Sequence, residues 1–222
     1  MLSISASRPS CPVPATGPVY GVLLNFRGAL AALGDAVTRP PYNAPPKAPI
    51  LYLKPPNTWS AHGALIAVPR GVEALAMGGT LGVVIGRTAC RVASRDALAH
   101  VAGYTVVNDV CIPHESYHRP SVRFTCRDGF CAIGPVIAQV TDPGNLAIEV
   151  EVDGEVRQRA STRDLIRPVA KLVEDVSAFM TLWPGTILTV GVDRGAPLAR
   201  AGQKVSVTIA GIGTLFNTLV AE

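Results

Sequence analysis

Between residues 107 and 120 the chain reads "VNDVCIPHESYHRP", which brings Asp109, His114, Glu115, His118 and Arg119 into one proline-bounded stretch. Residues of these types serve a metal site, an acid/base site or a solvated polar loop, and spacing alone leaves the three open. His114 and Glu115 are adjacent, so on an extended segment they point to opposite faces and do not form a dyad. If the segment turns, His114 can face a pocket as a general acid/base, since an imidazole titrates near neutrality; a solvated loop histidine is the plainer reading. Arg119 and Arg127 suit carboxylate binding, because a guanidinium fork meets a carboxylate through two hydrogen bonds. The plainer role for each is a structural ion pair, Arg127 with Asp128 for example. Lys54, at the end of "ILYLK", either faces a cleft or snorkels at the surface.

These residues must be positioned by strands for the most part. "VYGVLLNF" reads as a buried strand, "GALAALGDAV" as a short helix, and the prolines of "TRPPYNAPPKAP" forbid regular structure before the strand that ends at Lys54. A rigid connector is the bland account of that loop; a loop fixing a polar mouth of Lys54, Asn57 and Thr58 is the sharper one. "GTLGVVIGRTA" is a central strand by its β-branched run. Ser94 is a candidate N-cap for a short helix to about Val101, and "YTVVNDV" follows as a strand with Asp109 near its end. "AIGPVIAQV" is a further strand candidate, and Asp153-Gly154 between alternating segments predicts a type I′ hairpin. Leu165, Val169, Leu172, Val173, Val176, Phe179 and Met180 fall on one face of a helix that accepts Pro168 in its first turn and stops at Trp183-Pro184-Gly185. Three or so strands complete the chain, so the class is α+β and mostly β.

A chain of 222 residues, 48% hydrophobic and 16% charged with 21 glycines and 19 prolines, suits a turn-rich globular domain. A net charge of +4 and 5% aromatics give no basic patch with stacking side chains, which argues against nucleic acid as a partner. The five cysteines, Cys11, Cys90, Cys111, Cys126 and Cys131, show no zinc-ligand spacing and read as reduced thiols in a cytoplasm, with Cys126 and Cys131 packed inside. Neither a signal peptide nor about 18 uninterrupted apolar residues is evident, so no membrane association is expected. Residues 1–17 read as a flexible or loosely docked tail and residues 18–222 as the domain. His62 and His100 have no partners at ligand spacing.

Taken together, "LYLKPPNTW", "GYTVVNDV", "YHRPSVRFTCRDGF", "VDGEVRQRASTRDLI", "SAFMTLWPGTIL" and "AGQKVSVTIAGIGTLFN" resemble the fumarylacetoacetate hydrolase superfamily. "PYNAPPKAP" and "CRDGFCAIG" favour its 4-hydroxyphenylacetate (homoprotocatechuate) isomerase/decarboxylase branch, in the form of an N-terminal half or separate first subunit. The resemblance implies a mixed β-sandwich or roll with a few peripheral helices. It also implies a Mg²⁺-like ion held by a Glu-x-Glu pair and by an Asp from an "ND" pair, serving as electron sink for a 2-oxo acid.

The family pattern is broken here. Gly78 and Thr80 stand where the Glu-x-Glu pair belongs, and only Asp109 survives as a family ligand position. Thr125 replaces a common family lysine, "TVGVDRG" replaces a Gly-Thr-Pro substrate loop, and the early motif keeps Asn25 without its histidine. The resulting expectation is an alpha-type subunit of 5-oxopent-3-ene-1,2,5-tricarboxylate decarboxylase or 2-hydroxyhepta-2,4-diene-1,7-dioate isomerase. It would bind no metal of its own, and Mg²⁺ or Mn²⁺ would sit on a paralogous Glu-x-Glu-bearing partner; a homo-oligomer is the other arrangement. Asp109 and His114 are the expected catalytic residues. Lys54, Arg119, Arg127 and Asn25 are expected to bind an anionic 2-oxo-dicarboxylate or tricarboxylate. A non-catalytic structural subunit and a metal-independent isomerase or acylpyruvate-type hydrolase are the alternatives.

Overall fold

Alternating and continuous apolar runs produce strands in two packed layers, as a computed structural model that describes residues 15–114 and 121–222 makes plain. The strands are β1 Val19–Leu23, β2 Ile50–Lys54, β3 Trp59–Ala61, β4 Leu65–Val68, β5 Leu75–Ile85, β6 Val101–Cys111, β7 Cys131–Ile133, β8 Ala147–Val152, β9 Glu155–Ser161, β10 Ile187–Thr189, β11 Leu198–Ala199, β12 Lys204–Ile209 and β13 Gly213–Ala221. Among the described residues four short α-helices accompany them: α1 Arg27–Ala31, α2 Ser94–Ala97, α3 Val122–Thr125 and α4 Val169–Ser177. The larger sheet runs β2-β1-β10-β5-β6-β7-β3, with β11 also on β5, and the smaller runs β4-β13-β12-β8-β9. Both are mixed, with parallel β1/β10, β3/β7 and β13/β4 pairs among antiparallel ones.

The core lies between the sheets. β8 and β12 present Ile148, Val150, Val205 and Val207, all buried, to the long antiparallel pair β5/β6. Close approach depends on Gly79, where a Cβ would stand 2.5 Å from Val150 Cγ2 and 3.0 Å from Val207 Cγ1. The predicted hairpin forms at Asp153 (φ 53°) and Gly154 (φ 82°) between β8 and β9. On α4, Val169, Leu172, Val173 and Val176 are buried at helical spacing.

Some local expectations give way. The α2 cap is Ala93, with Ser94 already inside the helix and making no capping bond. "AIGPVIAQV" yields only the three-residue β7 and one bridge, Tyr104 to Ala138, because Gly134 and Pro135 interrupt it. Phe179 lies past the end of α4 and is 64% exposed, so it leaves the stripe that its spacing suggests. Of the expected tail, residues 1–14 lie outside the described residues, whereas Ala15 is buried and the Gly17 N–H donates to the Gly185 carbonyl.

Candidate functional site

In the larger sheet β2 is separated from β6 by β1, β10 and β5, yet side chains of β2 touch β6. The sheet therefore curls, and the space enclosed by its curl is the site. Tyr52 and Lys54 are two residues apart on β2 and share a face, and that face meets Asp109 of β6. Lys54 Nζ lies 2.5 Å from Asp109 Oδ1, and the Tyr52 hydroxyl donates to Asp109 Oδ2. Tyr52 can lie across β1 because its register partner is Gly21, where a Cβ would fall within the tyrosine ring.

Lys54 is 2% exposed and also donates to the carbonyls of Val110 (2.9 Å), Thr125 (2.8 Å) and Phe130 (2.9 Å). Its three ammonium protons thus face three carbonyls and a carboxylate. Burial pushes the Asp109 carboxyl up to about 8 and the Lys54 amine down, so the two move toward each other. Burial also pushes Cys111 up to about 11 and Cys131 up to about 12, which keeps both as thiols near neutrality and leaves them poor nucleophiles.

A cavity of about 960 Å³ opens beside this group. Asp109, Tyr52, His114 and Thr125 line it, together with the loop between β10 and β11 that carries Asp193 and Arg194. His114 Nδ1 stands 3.0 Å from the Ile112 carbonyl, and its ring stacks on Phe124 with centroids 5.5 Å apart. Asp109 and His114 therefore meet the same space.

Others among the expected residues do not reach it. Lys54 sits behind Asp109 with its protons used, so it braces the floor and is not open to a ligand. Asn25 is 1% exposed and spends its amide on backbone: Nδ2 donates to the Arg167 and Val190 carbonyls, and Oδ1 accepts from Arg167 N–H. Arg127 lies outside the cavity wall, with Glu222 at 3.9 Å, while Asp128 accepts from Asn57. Thr58 is buried and Asn57 also donates to the Cys126 carbonyl, so the expected polar mouth is a folded corner. Cys126 is half-buried on the cavity wall and not inside, unlike Cys131. Glu115, His118 and Arg119 lie outside the described residues.

Tyr52 and Arg194 were not anticipated. Tyr52 was legible, since period-two alternation in "ILYLK" places it with Lys54. Arg194 had no signal beyond lying in a loop that departs from the family pattern.

The arrangement does not fit a hard divalent ion, which calls for several free oxygen ligands. Gly78 pairs with Asp109 in register and offers no side chain; a Cβ there would stand 2.5 Å from the Asp109 carbonyl and 2.8 Å from Val192 Cγ2. Thr80 donates its hydroxyl to the Gly191 carbonyl at 2.5 Å, and both Asp109 oxygens are engaged. Among the described residues no group of three His, Cys, Asp or Glu side chains is placed to hold a metal.

Two packed mixed sheets, the larger curling around a cavity floored by the Asp of an "ND" pair, define the fold in which this cleft sits. The chain belongs to the fumarylacetoacetate (FAA) hydrolase C-terminal family, which it matches over residues 18–220. It is 39% identical over 206 residues to the 4-hydroxyphenylacetate degradation bifunctional isomerase/decarboxylase of Salmonella dublin, covering 93% of this chain and 48% of that protein. It thus spans about half the length of the curated bifunctional relatives it matches. An oxaloacetate tautomerase of Bacillus subtilis, YisK, is 31% identical, covering 99% of this chain and 75% of that protein. Among solved structures, 5-carboxymethyl-2-hydroxymuconate delta-isomerase of Mycobacterium smegmatis is 32% identical with a TM-score of 0.79, over 96% of this chain and 81% of that one. Fumarylpyruvate hydrolase of Pseudomonas aeruginosa, in complex with Mn²⁺ and pyruvate, is 29% identical with a TM-score of 0.81, over 99% and 94%. No helix among the described residues is long and apolar enough to cross a membrane.

Proposed function

We propose that this chain is the alpha, N-terminal-type component of a 5-oxopent-3-ene-1,2,5-tricarboxylate decarboxylase or 2-hydroxyhepta-2,4-diene-1,7-dioate isomerase in cytoplasmic 4-hydroxyphenylacetate catabolism. It works with a paralogous subunit that keeps the Glu-x-Glu pair and carries the Mg²⁺ or Mn²⁺. The observation that carries this reading is the match to one half of bifunctional isomerase/decarboxylases, 93% of this chain against 48% of theirs. The occupied Asp109 supports it, because a floor already neutralised by Lys54 leaves the electron-sink role to the partner. In this chain Asp109 and Tyr52 then orient and exchange hydrogen bonds with whatever occupies the cavity.

A second reading, a metal-independent isomerase or tautomerase, is favoured by one feature: the Tyr52 hydroxyl, hydrogen-bonded to Asp109, lines the cavity. Decarboxylase and isomerase assays of this chain alone, and mixed with its paralogue, with and without Mg²⁺, separate the two. Turnover only in the mixture with Mg²⁺ is expected. Full turnover by the isolated chain in excess chelator selects the second reading, and none under any condition points to a purely structural subunit.

A further inference from the structure

The segment that follows α4 presents two aromatic rings to water. Phe179 and Trp183 are 64% and 60% exposed, and neither lines the cavity described above. Scattered apolar side chains on a surface are ordinary, whereas large ones grouped on a braced backbone mark a place of contact. The backbone here is braced: Ala89 and Leu182 exchange N–H to carbonyl hydrogen bonds of 2.9 Å, and the Arg91 N–H donates to the Ser177 carbonyl at 2.7 Å. Ala89 and Leu182 are buried, and the residues that follow them, Cys90 and Trp183, are exposed.

The N-terminal part of the chain enters the fold beside this surface. Ala15 is buried in a cluster with Val19, Val84 and Ile187, and the Gly17 N–H donates to the Gly185 carbonyl at 3.1 Å. Thr16 lies against Gly185 so closely that a Cβ there would overlap its hydroxyl. Gly185 belongs to the turn that the Thr186 N–H closes on the Trp183 carbonyl at 3.0 Å, so residues 1–14 join the fold two positions from Trp183.

Those residues read "MLSISASRPSCPVP". Pro9 and Pro12 stand at the P-x-x-P spacing with which proline-rich segments seat on aromatic side chains. Cys11 comes five residues before Thr16, a reach of about 17 Å. Cys90 follows Ala89, the bridge partner of Leu182, so it stands within that reach of the entry point. A segment tethered this close meets the surface at an effective concentration that a separate molecule matches only in the millimolar range.

We propose that the surface formed by Phe179 and Trp183 is the docking site of this chain's own proline-rich segment, residues 7–14, which crosses Trp183 and brings Cys11 beside Cys90. The contact lies away from the cavity and stands whether or not the chain works with a paralogue.

Hydroxyl-radical footprinting of the full chain, read by mass spectrometry, tests it against a variant carrying Pro9→Ser and Pro12→Ser. Phe179 and Trp183 are oxidised at least threefold faster in the variant than in wild type, while Phe216, 49% exposed on β13, keeps its rate. Copper phenanthroline in air gives wild type an intramolecular Cys11–Cys90 disulfide as its main product, and Trp183→Ser cuts the yield at least fivefold. Equal rates at Phe179 and Trp183 in the two chains, or Cys11 joined as readily to Cys111, Cys126 or Cys131, would overturn the docking. Protection that is lost on tenfold dilution, with the disulfide formed between two chains, gives the surface to a second copy and overturns it as well.

Discussion

Asp109 and Arg194 line one cavity in opposite conditions: the carboxylate has both oxygens engaged by Lys54 and Tyr52, while the guanidinium has no acidic partner among the described residues. The contrast separates two uses of charge. A buried pair such as Lys54–Asp109 holds geometry, and breaking it costs more than its presence gains, because one charge is then left uncompensated. An exposed, unpaired arginine on a cavity-lining loop contributes little to stability and keeps its binding capacity for a ligand.

The largest effect should come from Lys54→Met. It leaves Asp109 as an unpaired buried charge once the carboxyl ionises, so a loss of about 3–5 kcal/mol is expected in urea unfolding above pH 8 and a smaller one below, where the carboxyl keeps its proton. The pH dependence should change as well. The native Asp109 carboxyl, raised to about 8, keeps its proton where the unfolded carboxyl has lost it, so its contribution is full at low pH and fades as pH rises toward 8. Lys54 is shifted down, and its contribution runs the other way, lost as pH falls, so the two slopes oppose each other in the wild type. Without Lys54 the Asp109 slope stands alone, and stability should fall by up to about 1.4 kcal/mol per pH unit between pH 6 and 8. A pH-independent Lys54→Met would show that the carboxyl is not buried as described.

Tyr52→Phe is expected to cost less, about 1–3 kcal/mol, since it removes one hydrogen bond to a charged or charge-sharing acceptor and leaves the ring over Gly21 in place. Arg194→Ala should stand at the small end, within about 0.5 kcal/mol of wild type in the same unfolding assay. A larger loss would mean that the arginine is structural, and the contrast with Asp109 would collapse.

The fold was legible because its signals are local. Alternation in β8 and β9, the Asp153-Gly154 turn and the apolar spacing of α4 each speak for themselves, and the family segments joined them into one architecture. The site was legible only in part. Asp109 lines the cavity, while Lys54, Asn25 and Arg127, expected at a ligand, brace backbone or reach Glu222. Partnership is a tertiary quantity: Lys54 meets carbonyls of Val110, Thr125 and Phe130, 56 to 76 residues away, only because the larger sheet curls. Nothing in "TVGVDRG" shows that Asp193 would accept from the Arg194 backbone N–H and leave the guanidinium without a carboxylate among the described residues.

Whether the charge of Asp109 is answered from within the chain is tested most directly by titrating the purified, metal-stripped protein with Mn²⁺ and following free ion by electron paramagnetic resonance. With Lys54 and Tyr52 on its oxygens and no acid at Gly78 or Thr80, no saturable site should be found below about 1 mM, the weak range for sites poor in charged ligands. A one-to-one micromolar site that vanishes in Asp109→Asn would contradict that result.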